Sequence, residues 1–494
     1  MILFLSGLAF LVLGYFVYGR MIERILRPDN RMTPAFKRRD NVDYMPLPLW
    51  KNMLIQLLNI AGVGPVIGVI VGIKFGEKCF WIIPLGCVLM GAVHDYVSGF
   101  LSLRSRGSSL PLMTYRAFGK WYSQFYTVVV AVMLLLVVAV FVNIPANLSS
   151  AFIPTFGLEE ETFFWVAVVV IFLYYVIATI FSVDKIIGRV YPLFGGLLIV
   201  GSIAMFGAIV YQAIKMPSLL TETAAFKAGM FHDQPVIPCL FVTIACGIIS
   251  GFHATQSPIV ARTMVDERQA RLTYYGMMIA EGIIAMIWAA AAMAIYNLYP
   301  ELMHGKPVAA LIKSTTTFLG SWLGIITVMS VFILAITSGD TALRSLRLSI
   351  AEMMRARQKT ISSRLVLIAP LLAIVIGLIG WSNQDATSFE WLWKYFAWGN
   401  QILSASTLMV CSVALMQRHI APWITLIPGM FMTFVVTSFI LWSSPSHPGC
   451  PYGLGLPIRE AYALAGLFTF ICAIFVCRIG NALANRRPKK KTML

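Results

Sequence analysis

Long apolar runs recur along the whole chain, and short polar segments that hold most of the charged residues separate them. A run of about 20 apolar residues is long enough to cross the hydrocarbon core of a bilayer as a helix. The pattern predicts thirteen such spans: 2–19, 51–73, 80–103, 124–145, 162–181, 189–213, 236–258, 273–296, 318–340, 364–380, 393–416, 421–442 and 460–479. We therefore expect an all-α, polytopic membrane protein with about thirteen transmembrane helices.

The second span is interrupted at its centre. Residues 54–74 read LIQLLNIAGVGPVIGVIVGIK, with Gly62, Gly64 and Pro65 in the middle. In a helix interior each glycine costs about 1 kcal/mol and a proline about 3 kcal/mol. Bare backbone groups at that depth are tolerated only where they line a cavity or bind a ligand. The pattern favours a broken helix at a binding site, and the alternative is a kinked helix with a close-packed glycine face.

A second interruption lies in the span 236–258, which contains Gly247, Ser250, Gly251 and His253. The two interrupted segments are the second and the seventh predicted spans, five spans apart. Because five is an odd number, they cross the membrane in opposite directions. Paired interrupted helices in two inverted halves are typical of the binding sites of secondary transporters. The predicted divisions are an N-terminal helix with a basic loop (1–50), a first five-helix repeat (51–213), an inverted second repeat (236–416), and two C-terminal helices with a basic tail (421–494).

The charge of the chain follows the predicted topology. The 494 residues are 59% hydrophobic and 12% charged, and the net charge is +17. When the loops are assigned alternately to the two sides of the membrane, one side receives 30 Lys and Arg residues and the other receives 8. This bias places the N-terminus outside and the C-terminus in the cytoplasm of a bacterial inner membrane. It also indicates attraction to an anionic inner leaflet, and we expect no nucleic-acid partner.

Sequence motifs of catalysis and metal binding are missing from the chain. It contains no HExxH, no GxSxG and no GxxxxGK[ST], which are patterns for metal, nucleophile and nucleotide sites. Seven of the eight cysteines lie in or beside apolar spans, and no CxxC occurs. We therefore expect no enzyme, no metal site and no cofactor other than a coupling ion, H⁺ or Na⁺.

Several segments resemble one known family. NIAGVGPVIG, GAVHDYVSGFLSLRSRG, FVTIACGIISGFHA, AEGIIAMIWAAAAM and FAWGNQILSAST are similar, in this order, to the bacterial carbon starvation protein CstA family. That family is similar in architecture to the amino acid–polyamine–organocation transporters. The resemblance implies a five-plus-five inverted-repeat (LeuT-like) core with broken first and sixth core helices. It also implies uptake of peptides and of pyruvate.

The first break supplies candidate substrate-binding backbone at Ala61, Gly62, Gly64 and Pro65. A helix that begins there directs a partial positive charge at the site, which suits a substrate carboxylate. The second break, at Gly247 to Gly251 and including Ser250, offers another such terminus.

Three polar side chains near the breaks or mid-span each have more than one open interpretation. His253 contacts substrate, moves a proton, or is a packing histidine. Asn400 and Gln401 either bind substrate or join helices as buried amides.

Three further residues are candidates for ion coupling. Glu281 lies deep in a span, where an acidic group is expensive and by default functional. It is a proton relay or an ion ligand, or alternatively a protonated packing residue. The resemblance implies a sodium site on the eighth core helix, where Thr337 and Ser338 are the adjacent hydroxyls. Their ordinary alternative is a bond to their own helix one turn back.

The candidate gate residues are Asp340, Arg344 and Asp95. Asp340 and Arg344 are four residues apart, which favours a local ion pair or, alternatively, a cytoplasmic gate. Asp95 follows His94 and precedes Arg104 and Arg106, so we expect it to pair with a nearby base.

Together these features predict a secondary transporter that imports a small carboxylate-bearing nutrient, peptides and/or pyruvate. The alternatives are a symporter for another amino acid or organic acid, a membrane sensor that binds without transporting, and an intramembrane enzyme. The sequence leaves the oligomeric state open.

Overall fold

The computed structural model describes residues 1–149, 159–180, 183–305, 307–356, 358, 360–384, 386–447 and 450–485. In this part of the chain eleven helices are long and apolar enough to cross a membrane, and one bent pair forms a twelfth candidate. The only β-pairing in the same residues is an isolated bridge between Leu47 and Met264. The predicted all-α membrane fold is confirmed.

The long helices follow the predicted spans closely. They are α1 Ile2–Leu26, α2 Leu49–Ile60, α3 Gly64–Phe75, α4 Cys79–Arg104, α5 Lys120–Leu148, α6 Glu160–Ile180, α7 Val183–Lys215, α8 Gly251–Ala261, α9 Glu267–Leu298, α10 Pro307–Met354, α11 Ile361–Ser382, α12 Ala386–Met416, α13 Trp423–Trp442 and α14 Ile458–Ala484. Three short helical pieces, Val236–Leu240, Phe241–Thr243 and Ala245–Ile248, precede α8 and occupy the predicted span 236–258. The division into two repeats, 51–213 and 236–416, stays a prediction.

The first predicted interruption separates α2 from α3, which meet at an angle of 51°. Ala61 leaves the helical region, with φ −73° and ψ 58°. Pro65 lies in the first turn of α3, where its missing N–H removes no intrahelical bond. The helix is broken, as the glycines and the proline predict.

The alternative interpretation of this span, a close-packed glycine face, describes the C-terminal part of α3. A Cβ atom built on Gly72 would lie 2.0 Å from Ile244 Cγ2, and one on Gly68 would lie 3.0 Å from the Thr243 carbonyl oxygen. Any residue larger than glycine at these two positions would push α3 away from the short helices that precede α8. The same segment is therefore broken at one end and tightly packed at the other.

The second interruption lies between Ile248 and Gly251. Ser250 is extended, with φ −137° and ψ 126°, and α8 begins directly after it. A Cβ atom on Gly251 would lie 2.2 Å from Leu403 Cβ and 2.5 Å from the Asn400 carbonyl oxygen. The start of α8 is thus pressed against α12.

Helix α10 is longer than its predicted span of 318–340. It is kinked at Gly320, which has φ 72° and ψ −177°, a conformation that favours glycine. Beyond residue 340 it continues to Met354. The charged residues that suggested an end of the span, such as Arg344, are instead buried in protein.

Candidate functional site

The two broken segments meet at the centre of the molecule. A Cβ atom built on Gly247 would lie 3.2 Å from Val69 Cγ1 and 4.0 Å from Pro65 Cα. Gly64 and Pro65 are buried, and the relative exposure of Ala61 is 0%. The structure therefore brings together residues that the sequence placed in two separate spans.

The second break is held by side chains of α12. Asn400 Oδ1 accepts a hydrogen bond from the Phe252 amide at 2.8 Å, and Asn400 Nδ2 donates to Ser250 Oγ at 2.9 Å. Gln401 Nε2 donates to the Ile249 carbonyl at 3.0 Å. Asn400 thus caps the N-terminus of α8, so in this conformation the Phe252 amide is already used. A direct contact of Asn400 or Gln401 with substrate stays a prediction.

The first break differs from the second at its helix N-terminus. The residue before α3 is Val63, and a valine side chain cannot accept a hydrogen bond from the first amides of a helix. The polar group nearest to the break on the side of α10 is Ser338, whose Oγ would lie 3.2 Å from a Cβ atom on Gly62. Of the two termini that the sequence proposed for anion binding, that of α3 is the better suited.

Three phenylalanines surround the break. The ring of Phe141 in α5 lies 6.0 Å from the ring of Phe252 in α8 and 6.0 Å from the ring of Phe396 in α12, measured between centroids. Phe141 Cζ would lie 3.1 Å from a Cβ atom on Gly62. The sequence did not identify these rings, because an aromatic residue in an apolar span has no distinguishing pattern.

The adjacent hydroxyls of α10 divide between the two interpretations given above. Thr337 Oγ1 donates to the Leu334 carbonyl at 3.0 Å, one turn back on its own helix. Ser338 Oγ donates across to the Leu58 carbonyl at 3.2 Å, at the end of α2. Of the predicted pair, Ser338 therefore reaches the broken helix, and hydroxyl and carbonyl oxygens are the hard ligands that a cation such as Na⁺ prefers.

A chain of four ionisable side chains links α4, α8 and α9. His94 Nδ1 lies 2.8 Å from Asp95 Oδ1, and His253 Nδ1 lies 3.1 Å from Asp95 Oδ2. On its other side, His253 Nε2 lies 3.7 Å from Glu281 Oε2. All four side chains have a relative exposure of 0%. In a low-dielectric interior, the gain or loss of one proton in this chain changes the local electrostatic energy strongly.

The partners of Asp95 refine one prediction. The expected basic partner is a pair of imidazoles and not Arg104, which forms an ion pair with Glu267 at 2.5 Å. Both carboxylate oxygens of Glu281 and the Nε2 atom of His253 are buried without a hydrogen-bond partner among the described residues. Buried polar atoms normally have partners. The His253–Glu281 end of this row of ionisable side chains can therefore accept a proton, a water molecule or a ligand.

The predicted gate residues contact two different elements. Asp340 Oδ2 accepts a hydrogen bond from Tyr174 of α6 at 2.6 Å. Arg344 Nη1 forms an ion pair with Asp43 Oδ1 at 3.2 Å, in the loop before α2. The sequence did not identify Asp43, because its partner is 301 residues away. These contacts join the C-terminal half of α10 to α6 and to the segment that leads into α2.

The structure bears on metal binding only for the residues that it describes. Across the residues that the structure describes, no group of three or more His, Cys, Asp or Glu side chains is arranged to hold a metal ion.

The fold has counterparts among solved structures. MhsT, in a crystal structure with L-phenylalanine, aligns with a TM-score of 0.55 and 13% identity, over 88% of this chain and 99% of that chain. A manganese transporter of Eremococcus coleocola aligns with a TM-score of 0.51 and 11% identity, over 90% and 98% of the two chains. At these identities the likeness shows the fold alone, which is that of the LeuT-like transporters.

Sequence comparison identifies the family. The family model described as carbon starvation protein CstA matches residues 1–187, 149–322 and 305–439. The chain belongs to the carbon starvation protein CstA family, as the sequence segments indicated.

Three relatives illustrate the range of similarity. An uncharacterized membrane protein of Haemophilus influenzae is 38% identical over 60% of this chain and 92% of its own length. A protein of Campylobacter jejuni named peptide transporter CstA is 24% identical over 87% of this chain and 78% of its own length. The protein of the same name from Helicobacter pylori strain J99 is 26% identical over 63% of this chain, and the match spans 54% of that relative.

Proposed function

We propose that this protein is a secondary transporter of the bacterial inner membrane that imports a small carboxylate-bearing nutrient, short peptides or pyruvate, by ion-coupled alternating access. The observation that carries the proposal is the meeting of two broken helices, with Gly247 beside Pro65. Relatives that are named peptide transporters support it. In the proposed orientation the N-terminus is outside, and the C-terminus with its basic tail faces the cytoplasm and the anionic inner leaflet.

The substrate carboxylate binds at the N-terminus of α3 in this mechanism. The partial positive charge of that terminus attracts an anion, and Val63 leaves it without a side-chain cap. Phe141, Phe252 and Phe396 cover the apolar part of the substrate. Binding from outside orders the two breaks, and the two halves of the protein then rock about the site to release the substrate inwards. The protein performs no chemistry on the substrate, and the conformations differ only in how well they bind it.

Two features support coupling to an ion. The Ser338 hydroxyl lies at the Leu58 carbonyl, and with the adjacent Thr337 hydroxyl, which bonds Leu334 in this conformation, it would hold Na⁺ between α10 and the end of α2. The pair His253 and Glu281 would exchange a proton over a distance of 3.7 Å. Each site joins a broken segment to a neighbouring helix, so its occupancy affects how the breaks are held.

The proposal is tested by uptake into proteoliposomes that contain the full chain. Labelled pyruvate, dipeptides and amino acids are offered under separate proton and sodium gradients. We expect accumulation of a carboxylate-bearing substrate under one of the two gradients. Binding without accumulation would identify a sensor, and recovery of a product with a different mass would identify an enzyme. Either result would overturn the proposal.

Replacement of Thr337 by Val is expected to raise the sodium concentration for half-maximal uptake about tenfold, because it removes one hard oxygen ligand and keeps the side-chain shape. The measurement is initial uptake against sodium concentration. Thr316→Val is the matched control, since Thr316 is exposed on the same helix and bonds its own turn. If uptake is independent of sodium in both the unmodified protein and the variant, Thr337 does not bind a coupling sodium ion.

A further inference from the structure

A cluster of arginines is buried at the predicted cytoplasmic end of the molecule. Its members belong to the segment after α8, to α10 and to α11, and their relative exposures are 6% or less: Arg262, Arg344, Arg347 and Arg364. Two carboxylates face them. Asp43 lies 3.2 Å from Arg344, and Glu352 lies 2.5 Å from Arg262. Four guanidinium groups thus lie together at this end of the molecule, and Asp43 and Glu352 are carboxylates that pair with members of the group.

Arg347 is the least satisfied member of this arginine cluster. Its Nη1 donates to Gln358 Oε1 at 3.1 Å, whereas Nε and Nη2 lack a hydrogen-bond partner although the side chain has 0% exposure. The nearest carboxylate oxygen, Asp43 Oδ1, is 3.8 Å from Nη2. Nε–H and the adjacent Nη2–H point in the same direction and form the planar fork that binds a carboxylate through two parallel hydrogen bonds. The buried fork of Arg347 therefore has the geometry of an anion site.

Asp43 serves as the counter-ion of this cluster. Burial alone would raise the pKa of Asp43, but the charges of Arg344 and Arg347, with those of Arg262 and Arg364, outweigh burial and lower it. The carboxylate therefore stays ionised. Asp43 is joined to α2 by only five residues, 44–48. So short a linker couples the position of Asp43 to that of α2.

A small pocket lies between the central site and the arginine cluster. Its volume is about 10 Å³, which is space for about one water molecule, and Thr255, Arg262, Ser345 and Ser349 contribute to its lining. The hydrogen bond from Ser345 Oγ to the Thr255 carbonyl, at 2.6 Å, joins α10 to α8 beside it. Thr255 is two residues from His253, so polar side chains occur along α8 between the break and Arg262.

We propose that the arginine cluster is a second anion site. When the cytoplasmic end is closed, Asp43 occupies this site. When that end opens, the carboxylate of the departing substrate binds there in place of Asp43. Removal of Asp43 would leave buried positive charge without compensation, which is strongly unfavourable until another anion enters. A carboxylate-bearing substrate is such an anion. The assignment of the natural ligand rests on the proposed function, whereas the affinity of the cluster for a carboxylate does not.

The first test is chemical rescue in the purified full chain. Asp43→Ala is expected to lower the melting temperature, and acetate at millimolar concentration is expected to restore most of the loss by ligand linkage. Chloride at equal ionic strength should not restore it. The unmodified protein and the control Asp233→Ala, which alters an exposed aspartate, should show no gain with acetate. The double variant Asp43→Ala, Arg347→Gln should lose the rescue.

Two results would overturn the proposal. One is an equal response of Asp43→Ala to acetate and chloride, and the other is an equal gain from acetate in the unmodified protein. Rescue by acetate in a protein that transports no carboxylate would support the anion site and refute the transport function. The failures of the two proposals are therefore distinguishable.

A second measurement covers the case in which Asp43→Ala does not fold. Arg347→Gln is expected to raise the half-saturating substrate concentration at the cytoplasmic face about tenfold, measured by exchange in oriented vesicles, and to change the value at the outer face less than about twofold. Arg347→Lys keeps the charge without the fork and should give an intermediate value. Equal changes at both faces, or no change, would show a structural role and refute the site.

Discussion

Replacement of Glu281 by Gln is expected to abolish substrate accumulation driven by a proton gradient while exchange of substrate across the membrane continues. Glutamine keeps the size and most of the shape of the side chain but cannot gain or lose a proton at neutral pH. Exchange needs only the binding site and its two conformations, whereas accumulation needs the coupled ion. The expected result therefore separates coupling from binding.

The structural reason is the position of Glu281 at one end of the row of four ionisable side chains that begins with His94. His253 lies between two carboxylates, 3.1 Å from Asp95 and 3.7 Å from Glu281. A proton that moves along this row of side chains alters the ion pair between α8 and α9. Because α8 starts at the second break, the change is felt at the break. With an amide at position 281, His253 has only Asp95 as an acidic partner.

The measurement uses proteoliposomes with an imposed pH gradient and, in parallel, counterflow of labelled substrate without one. Glu301→Gln is the matched control, because Glu301 is exposed near the end of α9. It should leave both activities unchanged. A Glu281→Gln protein with unaltered pH dependence would exclude this residue from coupling, and loss of both activities would indicate a packing role.

Replacement of Gly251 by Ala is expected to have the largest effect on stability among the glycine variants of the breaks. The new Cβ atom would lie 2.2 Å from Leu403 Cβ and 2.5 Å from two backbone atoms of α12, the Asn400 oxygen and the Ser404 nitrogen. Overpacking typically costs about 1–3 kcal/mol, and more where backbone must move. The shift would also pull Asn400 from the Phe252 amide that it caps.

The loss is measured as the yield of monodisperse protein in detergent and as its melting temperature. Gly207→Ala in α7 is the control, since nothing lies within 4 Å of a Cβ atom there and alanine is the better helix former. We expect the control to match or slightly exceed the unmodified protein. A Gly251→Ala protein as stable as the control would show that α8 and α12 are not packed as described.

The predictions that succeeded from sequence depend on local chemistry. Gly62, Gly64 and Pro65 cannot continue a helix in lipid, so their positions predicted the first break directly. The burial expected of Glu281 is also confirmed, since its relative exposure is 0%, whereas its functional role stays a prediction that rests on the cost of a carboxylate inside an apolar run. The lengths of the apolar runs predicted most of the spans for the same reason.

The contacts that the sequence could not predict join residues far apart in the chain. Asp95 and His253 are separated by 158 residues, and Asp43 and Arg344 by 301. No periodicity encodes which faces of α4, α8 and α10 come together. The amide of Asn400 illustrates the limit, since its sequence allowed either substrate binding or helix joining, and only the packing of α12 on Ser250 shows that it caps α8.

The close approach of glycines in α3 and α4 to the short helices before α8 limits how these elements can move. Cβ atoms on Gly72, Gly86 and Gly91 would lie 2.0–2.1 Å from atoms of Ile244 or Ile248, so the surfaces interlock too closely for sliding. In this conformation α3, α4 and the short helices before α8 are therefore packed as one unit, and any rocking motion that separates them has to pull these surfaces apart. In evolution, a larger residue at Gly72 or Gly86 would need a compensating smaller one at Ile244 or Ile248, whose side chains they meet, so these positions should change together. The neighbour of Gly91 is the Ile248 carbonyl oxygen, so no side-chain change can compensate at that glycine.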